Sequence, residues 1–302
     1  MSAARRAALV LVVLFGLLAG AAYGQNIRAI AGKIAKTAKT GKDVIKTAQT
    51  LRSTFGDISE EEEYYIGRSV AALILSRYAV LNNPTLNSYV NTLGQAVALS
   101  SDRPETYAGY HFQVLDTDEV NALAAPGGMI FLTKGLIKRC PDEEALADIL
   151  AHEIGHVAAR HGLQSIKKSR LADAFKQIES AAIQKYTPGE LAKLTEVFDG
   201  VLGDISESLI EKGYDRKYEY EADESAVKTA AKTGYDPAGL NRFLQTMIGD
   251  KSAGSDKGWF KTHPTPEQRI ERADKTMASL GALPKMQAVR TARFQAAAAG
   301  LK

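Results

Sequence analysis

A mainly α-helical fold with one small β-sheet is what this chain predicts, on three observations. Apolar residues recur at helical spacing over most of the length. Only residues 110–133 alternate in the manner of strands. One well-capped apolar run, opening at Pro141, carries two histidines four residues apart inside an otherwise hydrophobic helix.

The elements follow in chain order. Residues 1–24 read as a secretory signal peptide. Arg5 and Arg6 form the basic start, Ala7 to Ala19 the apolar stretch, and Ala22-Tyr23-Gly24 the small-residue cleavage site before Gln25. Export is therefore expected. Residues 25–57 form a separate N-terminal segment. Over 26–54, Ile27, Ile30, Ile34, Ala38 and Ile45 lie among Lys33, Lys36, Lys39, Lys42 and Lys46, a basic amphipathic helix. Such a face suits solvent, an anionic membrane or a partner. The main domain is expected over 58–282. Ser59 is placed to cap a helix that begins with four glutamates, and Asn82-Asn83-Pro84 is a turn before a second helix to about Ser100.

Tyr110 to Leu115 alternates as a strand. Val120–Ala124 and Met129–Leu132 flank Pro126-Gly127-Gly128 as two arms of a hairpin-like turn. Pro141 is expected in the first turn of the next helix, followed by Asp142, Glu143 and Glu144. Residues 163–212 look helical. Further helices are expected over about 214–233, ending at Gly234, from Asp236-Pro237 to about Ile248, and from about Glu267 after His263-Pro264. Residues 249–258 read as a polar loop. The alanine-rich tail, 283–302, reads as poorly ordered.

Composition narrows the function. The chain is 45% hydrophobic and 24% charged, as soluble globular domains are. Of its net charge of +3, two units come from Arg5 and Arg6, so the body is close to neutral and offers no electrostatic case for nucleic-acid binding. A single cysteine, Cys140, excludes an internal disulfide and a cysteine-rich zinc site, and its place before Pro141 favours a buried thiol.

The chemistry lies in Ala151-His152-Glu153-Ile154-Gly155-His156. Residues four apart share a helix face, so His152 and His156 can direct ring nitrogens at one zinc ion. Glu153 sits at the edge of that face, within reach of a water beside the ion, and is the candidate base. Catalytic zinc takes three protein ligands. The third is sought in Tyr218-Glu219-Tyr220-Glu221-Ala222-Asp223, where Glu219 and Asp223 are again four apart; spacing alone leaves Glu221 as a rival to Glu219. Asp223 is suited to accept the other ring N–H of a ligand histidine. His161, five residues beyond His156, falls off the ligand face of a continuous helix and reads as a surface residue. His111 reads as structural, and Arg216 as support for Glu219 or Glu221 or as a solvated charge.

These pieces, with Asn121-Ala-x-x-x-Pro-Gly-Gly128 and His263-Pro followed by Arg269-Ile270, resemble the HtpX-like and CAAX-prenyl-protease-like zinc metallopeptidases, metallopeptidase family 48. The likeness runs over about 60–280 and is nearest to the soluble periplasmic, BepA-like members. It implies a zincin-like metallopeptidase domain with the motif on a buried helix. It implies a single Zn2+ per chain held by His152, His156 and Glu219, Asp223 behind a ligand, and Glu153 as base. It places Asn121 on a strand bordering the cleft, near the substrate carbonyl. It places His263 by the metal, holding the enzyme latent or stabilising the oxyanion. The expected activity is zinc-dependent endopeptidase cleavage of unfolded or misfolded proteins in the periplasm. Two other readings stand beside it: a chaperone-like binding protein with a latent zinc site, and a membrane-surface module driven by residues 26–54.

Overall fold

The computed structural model describes residues 58–165, 200, 203–205, 207–248 and 265–301. The signal peptide, the basic helix over 26–54, the loop over 249–258, most of the helical stretch expected over 163–212, and His263 lie outside the described residues.

Helix α1 (Glu60–Arg77) starts where Ser59 predicts, the Ser59 carbonyl accepting from the N–H of Glu63. Helix α2 (Pro84–Ala98) is capped by the Asn83 side chain, which accepts from the N–H of Leu86. Strands β1 (His111–Leu115), β2 (Ala122–Ala125) and β3 (Met129–Thr133) make a sheet in the order β1-β3-β2, β1 parallel and β2 antiparallel to β3. The turn between β2 and β3 is a 3-10 turn over Pro126–Gly128. It holds Gly127 at φ 76° and Gly128 at φ 100°, which side chains with a Cβ rarely adopt.

The two-residue period of the strands divides the core. Phe112, Val114, Ala122, Ala124, Ile130 and Leu132 pack with α2 and the central helix α4 (Glu143–Ala158). Leu115, Leu123, Ala125 and Phe131 face the other way, towards Ile66, Val70 and Ile74 of α1. The outer edge of β1 is closed by side chains of α2, since the N–H groups of Phe112 and Val114 donate to Asn91 Oδ1 and Asn87 Oδ1. Among the described residues β2 pairs on one side only.

Between β3 and α4 lies a short helix the sequence did not announce, α3 (Lys134–Arg139), capped by Thr133 Oγ1. The start of α4 also differs from expectation. Pro141 stays outside the helix, because Asp142 takes the extended conformation and caps the N–H of Ala145 at 2.8 Å. Every residue of α4 from Glu143 to Val157 is buried. A one-turn helix, α5 (His161–Gln164), follows it, and a π-helical turn spans Glu207–Lys212. Around α4 pack α6 (Arg216–Thr233), which ends at Gly234, and α7 (Gly239–Met247); α8 (Pro266–Ser279) lies across these two.

The tail does not stay loose. Residues Ala288–Ala298 form α9, anchored by buried Phe294 and Leu301. Arg293 pairs with Glu143, and Arg290 Nη1 lies 3.3 Å from Glu144. Alanine favours helix, and these four side chains supply what the composition alone concealed. No described helix is long and apolar enough to cross a membrane.

Candidate active site

The site forms where the second half of α4 meets α6. His152 and His156, one turn apart, bring their Nε2 atoms to 3.1 Å from each other. Glu219, in the first turn of α6, brings Oε2 to 3.5 Å from the His152 nitrogen and Oε1 to 3.5 Å from the His156 nitrogen. All three side chains are buried, and their ligand atoms lie within 4.8 Å of one another. A tetrahedral zinc site with ligands at about 2.0–2.1 Å sets neighbouring donor atoms about 3.3 Å apart. The observed separations suit that geometry, and the cluster can hold a metal ion. Glu221, the rival on spacing, is 62% exposed at its side chain and turned elsewhere.

The outer nitrogen of His152 is held as well. Its Nδ1 lies 2.9 Å from Asp223 Oδ1. Asp223 in turn accepts a forked pair from Arg269, Nε to Oδ2 at 2.9 Å and Nη2 to Oδ1 at 2.6 Å. Arg269 has no exposed surface. Burial raises the Asp223 pKa, but Arg269 and His152 outweigh it and hold the carboxyl below its ordinary value. For His152, burial and Arg269 push downward, yet Asp223 and Glu219 prevail and the ring rises to about 9. A metal entering the site therefore displaces a proton from it.

Glu153 is buried, and its Oε1 makes no hydrogen bond among the described residues. Burial raises its pKa to about 7, with Glu219 adding to the rise and His152 and Arg269 opposing it. A carboxyl poised there suits proton transfer near neutral pH.

Three neighbours escaped the sequence reading. Arg269 was matched only as part of a motif. Tyr214 stacks its ring on His156, with centroids 4.5 Å apart and planes at 22°. His161 is not a surface residue: it is fully buried, its Nδ1 is 2.9 Å from Nδ1 of His156, and its Nε2 is 3.4 Å from Glu221 Oε2. The continuous helix assumed for it breaks. α4 stops at Ala158, and Arg160 takes a left-handed φ of 56°, which swings His161 back to the ligand side. Had the break been foreseen, the His156-to-His161 spacing would have signalled the contact.

The other candidates make no described contact with this cluster. Asn121 is buried just before β2, where its Oδ1 accepts from the N–H of Ala122 and its own N–H donates to Thr133 Oγ1. No described contact joins it to His152, Glu153, His156 or Glu219; its backbone N–H and carbonyl pair with Thr133 across the hairpin. Arg216 is exposed at the start of α6, and His111 is exposed with Nε2 3.0 Å from the Ala108 carbonyl. Cys140 is buried, and burial pushes its thiol pKa well up.

Residues 84–277 match the sequence pattern of peptidase family M48. The chain belongs to that family. It is 27% identical over 263 residues to the beta-barrel assembly-enhancing protease of Escherichia coli strain K12, covering 85% of this chain and 50% of the relative. It is 31% identical to metalloprotease YcaL of the same organism over 169 residues, 56% of this chain and 63% of that one. A third relative is the mitochondrial metalloendopeptidase OMA1 of Bos taurus, 28% identical over 165 residues, 54% of this chain and 31% of the relative. The M48 chain thus spans about half the length of the beta-barrel assembly-enhancing protease.

Proposed function

We propose that the chain is a zinc-dependent endopeptidase that cuts unfolded or extended proteins in the cell envelope, with Glu153 as its base. The observation that carries this is the convergence of His152, His156 and Glu219 beside the buried Glu153 carboxyl. Two imidazoles and a carboxylate are a usual donor set for catalytic zinc. When bound, zinc supplies a Lewis acid that makes water a nucleophile near neutral pH and polarises a peptide carbonyl.

The chain's own groups do the rest. Asp223 keeps the His152 proton on Nδ1 and so makes Nε2, on the side of His156 and Glu219, the ligand nitrogen. The positive charge of a filled site lowers the Glu153 pKa from about 7 and favours its ionised form. Glu153 then accepts the proton of the attacking water and hands it to the departing amine. His263 is proposed, on sequence alone, to meet the carbonyl oxygen or to hold the enzyme latent.

The sheet favours an extended substrate. Because α2 closes the β1 edge, β2 is the edge open to strand addition by a peptide. All four β2 residues are buried, Ala122 and Ala124 on the α4 side of the sheet and Leu123 and Ala125 on the α1 side. The envelope setting rests on residues 1–24 and on the likeness to a beta-barrel assembly-enhancing protease, which also favours quality control as the task.

The test is cleavage of casein by zinc-loaded residues 25–302. Glu153→Gln is expected to keep its zinc and lose turnover by at least about 100-fold, and a chelator to abolish it. Undiminished cleavage by Glu153→Gln would remove Glu153 from the mechanism.

A further inference from the structure

We infer that His161, backed by Glu221, is a positioning residue for His156, fixing which nitrogen of that ring carries the proton and the plane in which the ring is held. The inference rests on the metal-centre reading above. The Nε2 of His156 faces Nε2 of His152 at 3.1 Å and Glu219 at 3.5 Å. A ligand nitrogen presents a lone pair, so the His156 proton sits on Nδ1. That atom is 2.9 Å from Nδ1 of His161. Two N–H groups do not face each other at hydrogen-bond distance, so Nδ1 of His161 is the acceptor. Its own proton is then on Nε2, directed at Glu221 Oε2 at 3.4 Å. The polarity runs one way, from His156 through His161 to a carboxylate.

Packing fixes the planes. Tyr218 lies over His161 at 4.5 Å between centroids with planes at 32°, while Tyr214 stacks on His156 at 4.5 Å. The backbone is arranged for the same end. Arg160 is the one described residue other than glycine with a positive φ, a conformation that side chains with a Cβ seldom adopt. It is held there by Glu63, 3.1 Å from its Nε, and by the Ile58 carbonyl, 3.0 Å from its Nη1. This turn is what returns His161 to His156. The two ligand histidines are thus oriented by different means: a carboxylate acts directly on His152, and a neutral histidine relays one to His156.

The test uses the full chain, with zinc affinity measured against a competing chelator and the visible spectrum of the cobalt-loaded protein. His161→Phe keeps an aromatic ring but no acceptor. It is expected to weaken zinc binding about 10- to 100-fold and to shift the cobalt bands. His161→Asn places an amide oxygen near the lost nitrogen and is expected to recover most of that loss. If His161→Phe binds zinc normally, or His161→Asn is as weak as His161→Phe, the inference is overturned while the metal centre stands. If the unaltered chain takes up no zinc, both fall. Histidine 15N NMR of the unaltered zinc-loaded chain checks the same point without a variant: His161 is expected protonated on Nε2, and a proton on Nδ1 would overturn the assignment.

Discussion

Arg269 has no exposed surface, and both ends of its fork go to Asp223, itself buried. Charges so placed have given up their water, and removing one strands the other. Arg269→Met is expected to cost about 3–5 kcal/mol and to loosen His152, read as a fall in melting temperature together with lost zinc stoichiometry. A variant that melts and binds normally would show that Asp223 needs no partner. Glu153 gives a prediction of pH dependence for the metal-free protein. Its folded pKa, about 7, lies above the ordinary 4.5, so the protonated side chain favours the folded state. That contribution is whole below pH 4.5 and is lost as pH rises through 7. Metal-free Glu153→Gln is therefore expected to melt higher than the unaltered chain at pH 8, by on the order of 1–3 kcal/mol, and to match it at pH 4; equal stability at pH 8 would contradict the burial argument. The histidine pair and Glu153 were legible because helix geometry fixes what four residues apart must share. Spacing could not choose between Glu219 and Glu221, since both carboxylates sit on the same turn. Arg269 was illegible as a partner, being 117 residues from His152.

At the scale of elements, the site depends on how closely α4 and α6 approach. Gly155, between the histidines, faces α6: a Cβ there would lie 3.3 Å from Ser225 Cβ and 3.4 Å from the Ala222 backbone. Gly155→Leu is expected to push α6 outward and carry Glu219 from the histidines, with zinc affinity falling at least about tenfold; undiminished affinity would mean that Glu219 follows the histidines regardless. Periodicity found the long helices and the strands, since each buries one face on a regular pattern. It did not find α3, whose six residues are too few to show a period. It misplaced the start of α4, because a proline fits equally just outside a helix when the next residue is a capping aspartate. It missed the bend at Arg160, which is a backbone choice held by Glu63 from 97 positions back in the chain and leaves no local mark.

The whole molecule is tied by contacts distant in sequence. Arg293 reaches Glu143 across 150 residues, Tyr235 donates to the same carboxylate, and the Asp236 N–H and Arg290 hold Glu144. α9 is thereby a brace on the front of the helix whose back carries the histidines. Ending the chain after residue 282 exposes Glu143 and Glu144 without their arginines. The truncated chain is expected to lose about 3–5 kcal/mol and to melt several degrees lower; unchanged melting would make α9 an appendage. The mainly helical architecture was legible from the sequence as a whole, whereas this brace was not, because alanine-rich composition reports helix propensity and says nothing of where a helix docks. The same long ties set an order of assembly. A chain leaving the ribosome shows its histidine pair first. The glutamate that completes the metal cluster, the arginine behind Asp223 and the closing brace all follow later. Until they arrive the cluster is incomplete, so a site able to hold a metal cannot form before most of the chain has been made.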